Sequence, residues 1–206
     1  MLIGHFDEFS IFLEGRRLFS RRTQELVWTN TKRFADVIGP GHNAMNKAGW
    51  HPTPTAPSCF TAVLRSELVA AAGATHTNDD HGNSGCNLAY GLLDHVEGRG
   101  LAKLLAALAV RTLTDQVPAI GFVNVQSRAS NERSAILARS FGMQVVQEKA
   151  FGVIKPGSNA AISYCTYRGD AQAVASAADL AIAERFRSTG CDREVIESAW
   201  DQADII

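Results

Sequence analysis

The chain predicts an α/β fold of the mixed (α+β) kind, a mixed sheet with helices on both faces, and three observations predict it. Leu88–Leu93 reads as an extended segment, turns through Glu97-Gly98-Arg99-Gly100 and continues from Leu101 as a helix. Ala119–Val125 is apolar with β-branched residues, as a buried strand requires, and a second helical segment follows it. Elsewhere short apolar runs of strand length alternate with turn residues.

In order, residues 1–15 mix Ile3, Phe6, Phe9, Ile11 and Leu13 with acids, a first strand or part strand and part helix. Residues 16–38 carry Leu18, Phe19, Leu26, Val27, Phe34, Val37 and Ile38 at mostly helical spacing, stopped by Gly39-Pro40-Gly41. Residues 39–58 form a loop with Pro40, Pro52, Pro54 and Pro57, and loops this long in a compact domain are usually functional or disordered. Cys59–Leu64 and Leu68–His76 read as strands joined at Arg65-Ser66-Glu67, although the alanines of the second are poor strand formers. Thr77–Ser84 is a polar loop; neither the spacing nor the scaffold of His76, Asp79, Asp80 and His81 suits a metal. The core strand 86–93 follows.

The helix from Leu101 places Leu101, Leu104, Leu105, Leu108, Ala109 and Leu113 on one stripe. The next helix starts at Ser130 or Asn131, presents Ile136, Leu137 and Phe141 as its apolar face, and ends at Gly142. Gln144–Ile154 and Ala160–Arg168 are strands about a turn at 155–159. Residues 171–187 and 192–203 are helical, lined by Val174, Leu180, Ala181 and Phe186 and by Val195, Ile196, Ala199 and Trp200. The expected division is a domain over 1–168 and a helical extension over 169–206 packed on it or against a second subunit.

Composition narrows the function classes. With 206 residues the chain can bury a proper core. A net charge of −1 leaves no global polycation for nucleic acid, and Arg16-Arg17 with Arg21-Arg22 is a small patch that reads first as a solvated helix face. No apolar run is long enough to span a bilayer and no signal peptide opens the chain, so a cytoplasmic protein without membrane contact is expected. Cys59, Cys86, Cys165 and Cys191 are dispersed, which fits reduced thiols rather than disulfides or zinc.

The turn at 97–100 carries the chemistry. Glycines flank Arg99, where positive φ costs little and a ligand can approach the backbone. The helix that follows presents unpaired N–H groups and a partial positive charge, an anion site suited to phosphate or pyrophosphate.

With the second helical motif in view, the chain resembles the GNAT superfamily of N-acetyltransferases over roughly residues 59–168. The family's cofactor loop, Gln/Arg-x-x-Gly-x-Gly/Ala, corresponds to Glu97, Gly98, Arg99, Gly100, Leu101 and Ala102. Its later motif, an Asn, a helix and a Gly-Phe pair, corresponds to Asn131, the helix to Phe141, and Gly142-Met143. Two positions depart: Glu97 stands in place of Gln or Arg, and Ala138 in place of the tyrosine that protonates the leaving thiolate in many members. The resemblance implies a mostly antiparallel sheet of six to seven strands whose two parallel neighbours splay apart, plus a C-terminal helical extension.

It also implies acetyl-CoA as co-substrate, no metal, and direct attack of a small-molecule or protein amine on the thioester in a ternary complex. Leu92 and Leu93 would pair with the pantetheine arm, Gly98, Arg99, Gly100, Leu101 and Ala102 would bind the pyrophosphate, and Asn131 would contact the pantetheine region. Glu97 is expected to point outward or to pair with Arg99 or Lys103. Trp50 and His51, in a region that borders the acceptor in the family, are candidates for contact with it. Tyr90, Asp94, His95 and His76 are candidate bases, Ser134 or Tyr164 candidate donors to the thiolate, and a backbone N–H near Leu92 or Leu93 a candidate oxyanion donor. Two further readings stay open on this scaffold: a nucleic-acid-modifying enzyme using the arginine pairs, and a non-catalytic CoA-binding or interaction module, with a homodimer compatible with each.

Overall fold

In the computed structural model, residues 2–14, 58–65, 67–154 and 161–188 are described. The helix expected over 16–38, the loop at 39–57 with Trp50 and His51, and the helix expected over 192–203 lie outside the described residues. Nine strands are described: β1 (Leu2–Phe6), β2 (Phe9–Glu14), β3 (Ser58–Leu64), β4 (Glu67–Asn78), β5 (Ser84–Leu92), β6 (Phe122–Arg128), β7 (Gln144–Ile154), β8 (Ala161–Asp170) and the two-residue β9 (Arg187–Ser188). Three α-helices accompany them: α1 (Leu101–Gln116), α2 (Glu132–Ser140) and α3 (Ala171–Arg185).

The strands form one mixed sheet in the order β7-β8-β6-β5-β4-β3-β2-β1-β9, larger than the six to seven strands expected. The additions are at one edge, where residues 2–14 fold as a hairpin on the tight turn at Asp7 (φ 49°) and β9 closes the border. Every described pairing is antiparallel except β5 with β6. α1 crosses between those two, as a parallel connection demands.

Side chains alternate across a strand, so Cys86, Leu88, Tyr90 and Leu92 share one face of β5. In register with them, Cys86 neighbours Val123 and His76, and Val123 neighbours Gly169. A Cβ at Gly169 would meet Val174 of α3 and Met143 just after α2, so α2 and α3 cover this face. α3 packs on α1, and α1 lies across β3, β4 and β5. The described helices therefore form a single layer.

That layer explains the alanine-rich strand. Ala70, Ala72 and Ala74 of β4 are buried in the core beneath the helices, where short side chains let α1 approach. Packing overrides the weak intrinsic preference of alanine for strands. All six residues of the expected α1 stripe are buried, and so are Ala106, Ala107 and Val110, because α3 covers a second flank. Arg111 joins the two helices, with Nε 2.8 Å from Asp179 and Nη1 2.7 Å from Asp115.

Two apolar faces differ from expectation. In α2 the buried residues are Ala135 and Ala138, followed by Phe141, whereas Ile136 is 59% exposed. In α3 the stripe is Val174, Ala178 and Ala181, at i, i+4 and i+7, and Leu180 is off it and 74% exposed. At these contacts alanine faces inward, joined in α3 by Val174, while the longer Ile136 and Leu180 stay outside. The end of α2 is as expected: Gly142 (φ 76°) donates to the Arg139 carbonyl and Met143 to that of Ala138, the hydrogen-bond pattern of a Schellman motif.

β6 starts three residues later than its apolar run. Val117 to Gly121 forms a turn in which Ile120 donates to the Val117 carbonyl and Gly121 to that of Ser84. The polar loop contracts to 79–83, where Asp79 accepts from the His81 and Asn83 backbones and the Asn83 side chain. On the sheet face away from the described helices, Asn124 is buried, donates to Asn87 and accepts from Arg168 Nε at 2.9 Å. The Arg168 guanidinium lies 4.0 Å above the Phe122 ring. Buried polar groups need such partners, which makes this row a structural cross-tie.

Candidate functional site

β5 and β6 pair only from Gly85↔Phe122 to Leu88↔Val125. Beyond that β5 runs on to Leu92 while staying paired with β4, to Ala70↔Leu92. β6 runs on to Arg128 while staying paired with β8, to Arg128↔Tyr164. The two parallel strands keep their outer neighbours and release each other. The result is a fork along the last four residues of β5, roughly 13 Å at strand rise.

The backbone groups that face into the fork follow from ladder alternation. Leu93 donates to the Val69 carbonyl at 2.9 Å, so it belongs to the β4-facing set. Residues alternate along an antiparallel ladder. The N–H and C=O groups of Leu92 and Tyr90 therefore point away from β4, toward the side that β6 has left. Of the two residues expected to meet a cofactor arm, Leu92 presents its backbone to the fork and Leu93 presents its own to β4.

At the fork's mouth β5 leads through a 3-10 turn at Asp94–Val96 into the glycine turn. Gly98 and Gly100 have φ of 73° and 83°, conformations that a Cβ would strain. Gly100 occupies the N-cap of α1 with no side-chain cap. The first helical bond is Leu104 N–H to the Gly100 carbonyl at 3.1 Å, which leaves the N–H groups of Leu101, Ala102 and Lys103 without intrahelical acceptors. A Cβ on Gly98 would meet nothing within 4 Å, so the turn is open above it. These donors suit an anion at the positive end of a sixteen-residue helix.

The two charged side chains of the turn, Arg99 and Glu97, are engaged elsewhere. Arg99 ion-pairs with Glu8 in the β1–β2 turn and stacks 4.5 Å from the centre of the Phe9 ring. The hydrogen bond from Arg99 lowers the Glu8 carboxyl, and Glu8 raises the Arg99 guanidinium in turn. Glu97 pairs with Arg133 in the first turn of α2, a residue the sequence reading did not single out, rather than with Arg99 or Lys103. The reason is the fold, which sets α2 against the glycine turn; no local spacing relates 97 to 133.

Inside the fork Tyr90 reaches from β5 to α2, its hydroxyl 2.8 Å from Ser134 Oγ. Burial pushes the Tyr90 phenol up to about 12, so the hydroxyl is protonated at neutral pH. Asn131 caps α2 by accepting from the Ser134 N–H at 3.1 Å, which fixes the Ser134 backbone. Ala138 is fully buried.

The other candidates are dispersed. Asp94 and His95 are exposed on the 3-10 turn. His76 lies at the closed end of the β4–β5 hairpin, hydrogen-bonded to Ser84 Oγ, in register with Cys86 and four residues, about 13 Å of strand, from Tyr90. Tyr164 pairs with Arg128 on β8 and by alternation stands on the sheet face opposite Tyr90. Among the described residues no group of His, Cys, Asp and Glu could hold a metal.

The mixed, mostly antiparallel open sheet with its helices is the fold seen in GNAT acetyltransferase structures. The yncA putative acetyltransferase of Salmonella typhimurium, solved with its cofactor acetyl-CoA, superposes with a TM-score of 0.56 at 9% identity over 79% of this chain and 94% of that one. A putative phosphinothricin N-acetyltransferase gives 0.54 at 13% identity over 79% and 98%. A GNAT-family acetyltransferase from Bacillus anthracis gives 0.52 at 15% identity over 83% and 99%. No family model and no curated protein sequence matches the chain.

Proposed function

We propose that this protein is an acetyl-CoA-dependent N-acetyltransferase that moves the acetyl group to an amine by direct attack in a ternary complex. The observation that carries the proposal is the fork: β5 and β6 part after Leu88↔Val125 beside an uncapped helix start. The similarity to acetyltransferase structures, one of them with acetyl-CoA, supports it.

In this reading the N–H groups from Gly98 to Ala102 hold the diphosphate. The edge-facing backbone of Tyr90 and Leu92 pairs with the pantetheine amides, and Asn131 keeps α2 in place beside the arm. The amine nitrogen attacks the thioester carbon, the C–N bond forms, the C–S bond breaks, and the amine's proton leaves to solvent. An edge-facing N–H of β5 stabilises the oxyanion. The Tyr90–Ser134 hydroxyl pair donates a hydrogen bond to the departing sulfur, in place of the side chain missing at Ala138. A thiolate of ordinary pKa, ~8.5, leaves readily and takes its final proton from water.

The test is calorimetry with acetyl-CoA and CoA, followed by mass spectrometry of small amines, peptides and lysate incubated with the protein and acetyl-CoA. Micromolar binding and acetylated products are expected. Failure to bind either form of the cofactor would sink the proposal. Binding without any acetylated product would replace it by a non-catalytic CoA-binding role.

A further inference from the structure

Two consecutive residues of α2 tie it to the opposite arm of the fork. Ser134 holds Tyr90 of β5, and Arg133 holds Glu97 immediately before Gly98. The second tie stands at the mouth, where the N–H groups of Leu101, Ala102 and Lys103 face outward. Glu97 is largely covered, with its side chain 25% exposed, and Arg133 is open, with 75% exposed.

Resting on the acetyl-CoA reading above, we propose that Arg133 is the side-chain cation for the cofactor's diphosphate and that Glu97 is a tethered anion occupying it until the cofactor arrives. An anion on the bare start of α1 sits next to the Glu97 carboxylate and repels it. That same anion lies within the reach of a guanidinium already held at residue 97. Binding therefore exchanges one ion pair, Arg133 with Glu97, for another, Arg133 with phosphate, and a planar guanidinium suits both partners. Arg99, the cation within the turn, is committed to Glu8 and Phe9 and does not fill this role. The exchange makes Glu97 an affinity-setting residue: its carboxylate weakens cofactor binding and positions Arg133 in the free protein.

The experiment is calorimetric titration of CoA and of dephospho-CoA, which keeps the diphosphate and lacks the 3′-phosphate, into wild type, Glu97→Gln, Arg133→Gln and the double variant. Circular dichroism verifies the fold of each variant. Glu97→Gln is expected to tighten both ligands about two- to fivefold, the range of one exposed ion pair, and Arg133→Gln to weaken both by a similar factor. In the double variant the gain from Glu97→Gln shrinks, because part of it acts through Arg133. Unchanged or weaker binding by Glu97→Gln, or unchanged binding by Arg133→Gln, overturns the inference while leaving the acetyl-CoA reading intact. An effect confined to CoA places the contact on the 3′-phosphate and also overturns it. Failure of wild type and Glu97→Gln alike to bind either ligand overturns both proposals together.

Discussion

Tyr90 and Ser134 are 44 positions apart, and their hydroxyl oxygens meet at 2.8 Å across the fork between β5 and α2. The contact places hydroxyl donors beside the edge of β5 that β6 has released, on the helix whose Ala138 lacks a hydroxyl of its own.

Removing the Tyr90 hydroxyl is expected to separate chemistry from binding. Tyr90→Phe should lower kcat tenfold or more and change the Kd for acetyl-CoA less than about twofold, with roughly 1 kcal/mol of stability lost with the hydrogen bond. Ser134→Ala should act in the same direction. The double variant should be no slower than the worse single one, because the pair acts as a unit. Steady-state kinetics beside calorimetry reads both quantities, and full kcat in Tyr90→Phe would remove the hydroxyl pair from the reaction.

The same tyrosine gives the protein an alkaline limit. Its folded value of about 12 stands above the phenol's ordinary value of 10.0. Between those values the folded state holds a proton that the unfolded chain has lost, so stability falls as pH rises through this window. Its contribution is fully present below pH 10 and lost through pH 12, about 2–3 kcal/mol in all. Urea unfolding at pH 8 and pH 11 should show wild type losing more stability than Tyr90→Phe; equal losses would contradict the burial argument.

Gly98 and Gly82 provide a matched pair. Both have positive φ, 73° and 79°, and a Cβ at either would meet nothing within 4 Å. Alanine at each should cost about 1 kcal/mol in backbone strain. Only Gly98→Ala should also weaken acetyl-CoA binding, by tenfold or more, because its methyl stands where a phosphate approaches the amides. Thermal melting together with calorimetry distinguishes the two, and equal cofactor affinities would move the anion off this turn.

The closed end of the fork depends on close packing at Gly85. A Cβ there would overlap the Phe122 ring, which also carries the Arg168 guanidinium at 4.0 Å. Gly85→Ala should destabilise the fold by about 1–3 kcal/mol, as overpacking does. A midpoint in urea equal to that of wild type would show that the ring moves freely aside.

What the sequence determined by itself is local. The glycines at 98, 100 and 142, the Asn131 cap and the leucine stripe of α1 are legible because backbone sterics and helical periodicity act over a few residues. The inward faces of α2 and α3 were less so. There alanines won over Ile136 and Leu180 because neighbouring elements approach closely, and hydrophobicity does not report that distance. The tertiary structure alone decided where β5 and β6 part, that Leu92 rather than Leu93 shows its backbone to the gap, and that Glu97 and Tyr90 meet Arg133 and Ser134. Each of these depends on register between segments distant in the chain. A one-residue slip turns every side chain of a strand to the other face, and nothing in the local pattern fixes which residues then meet.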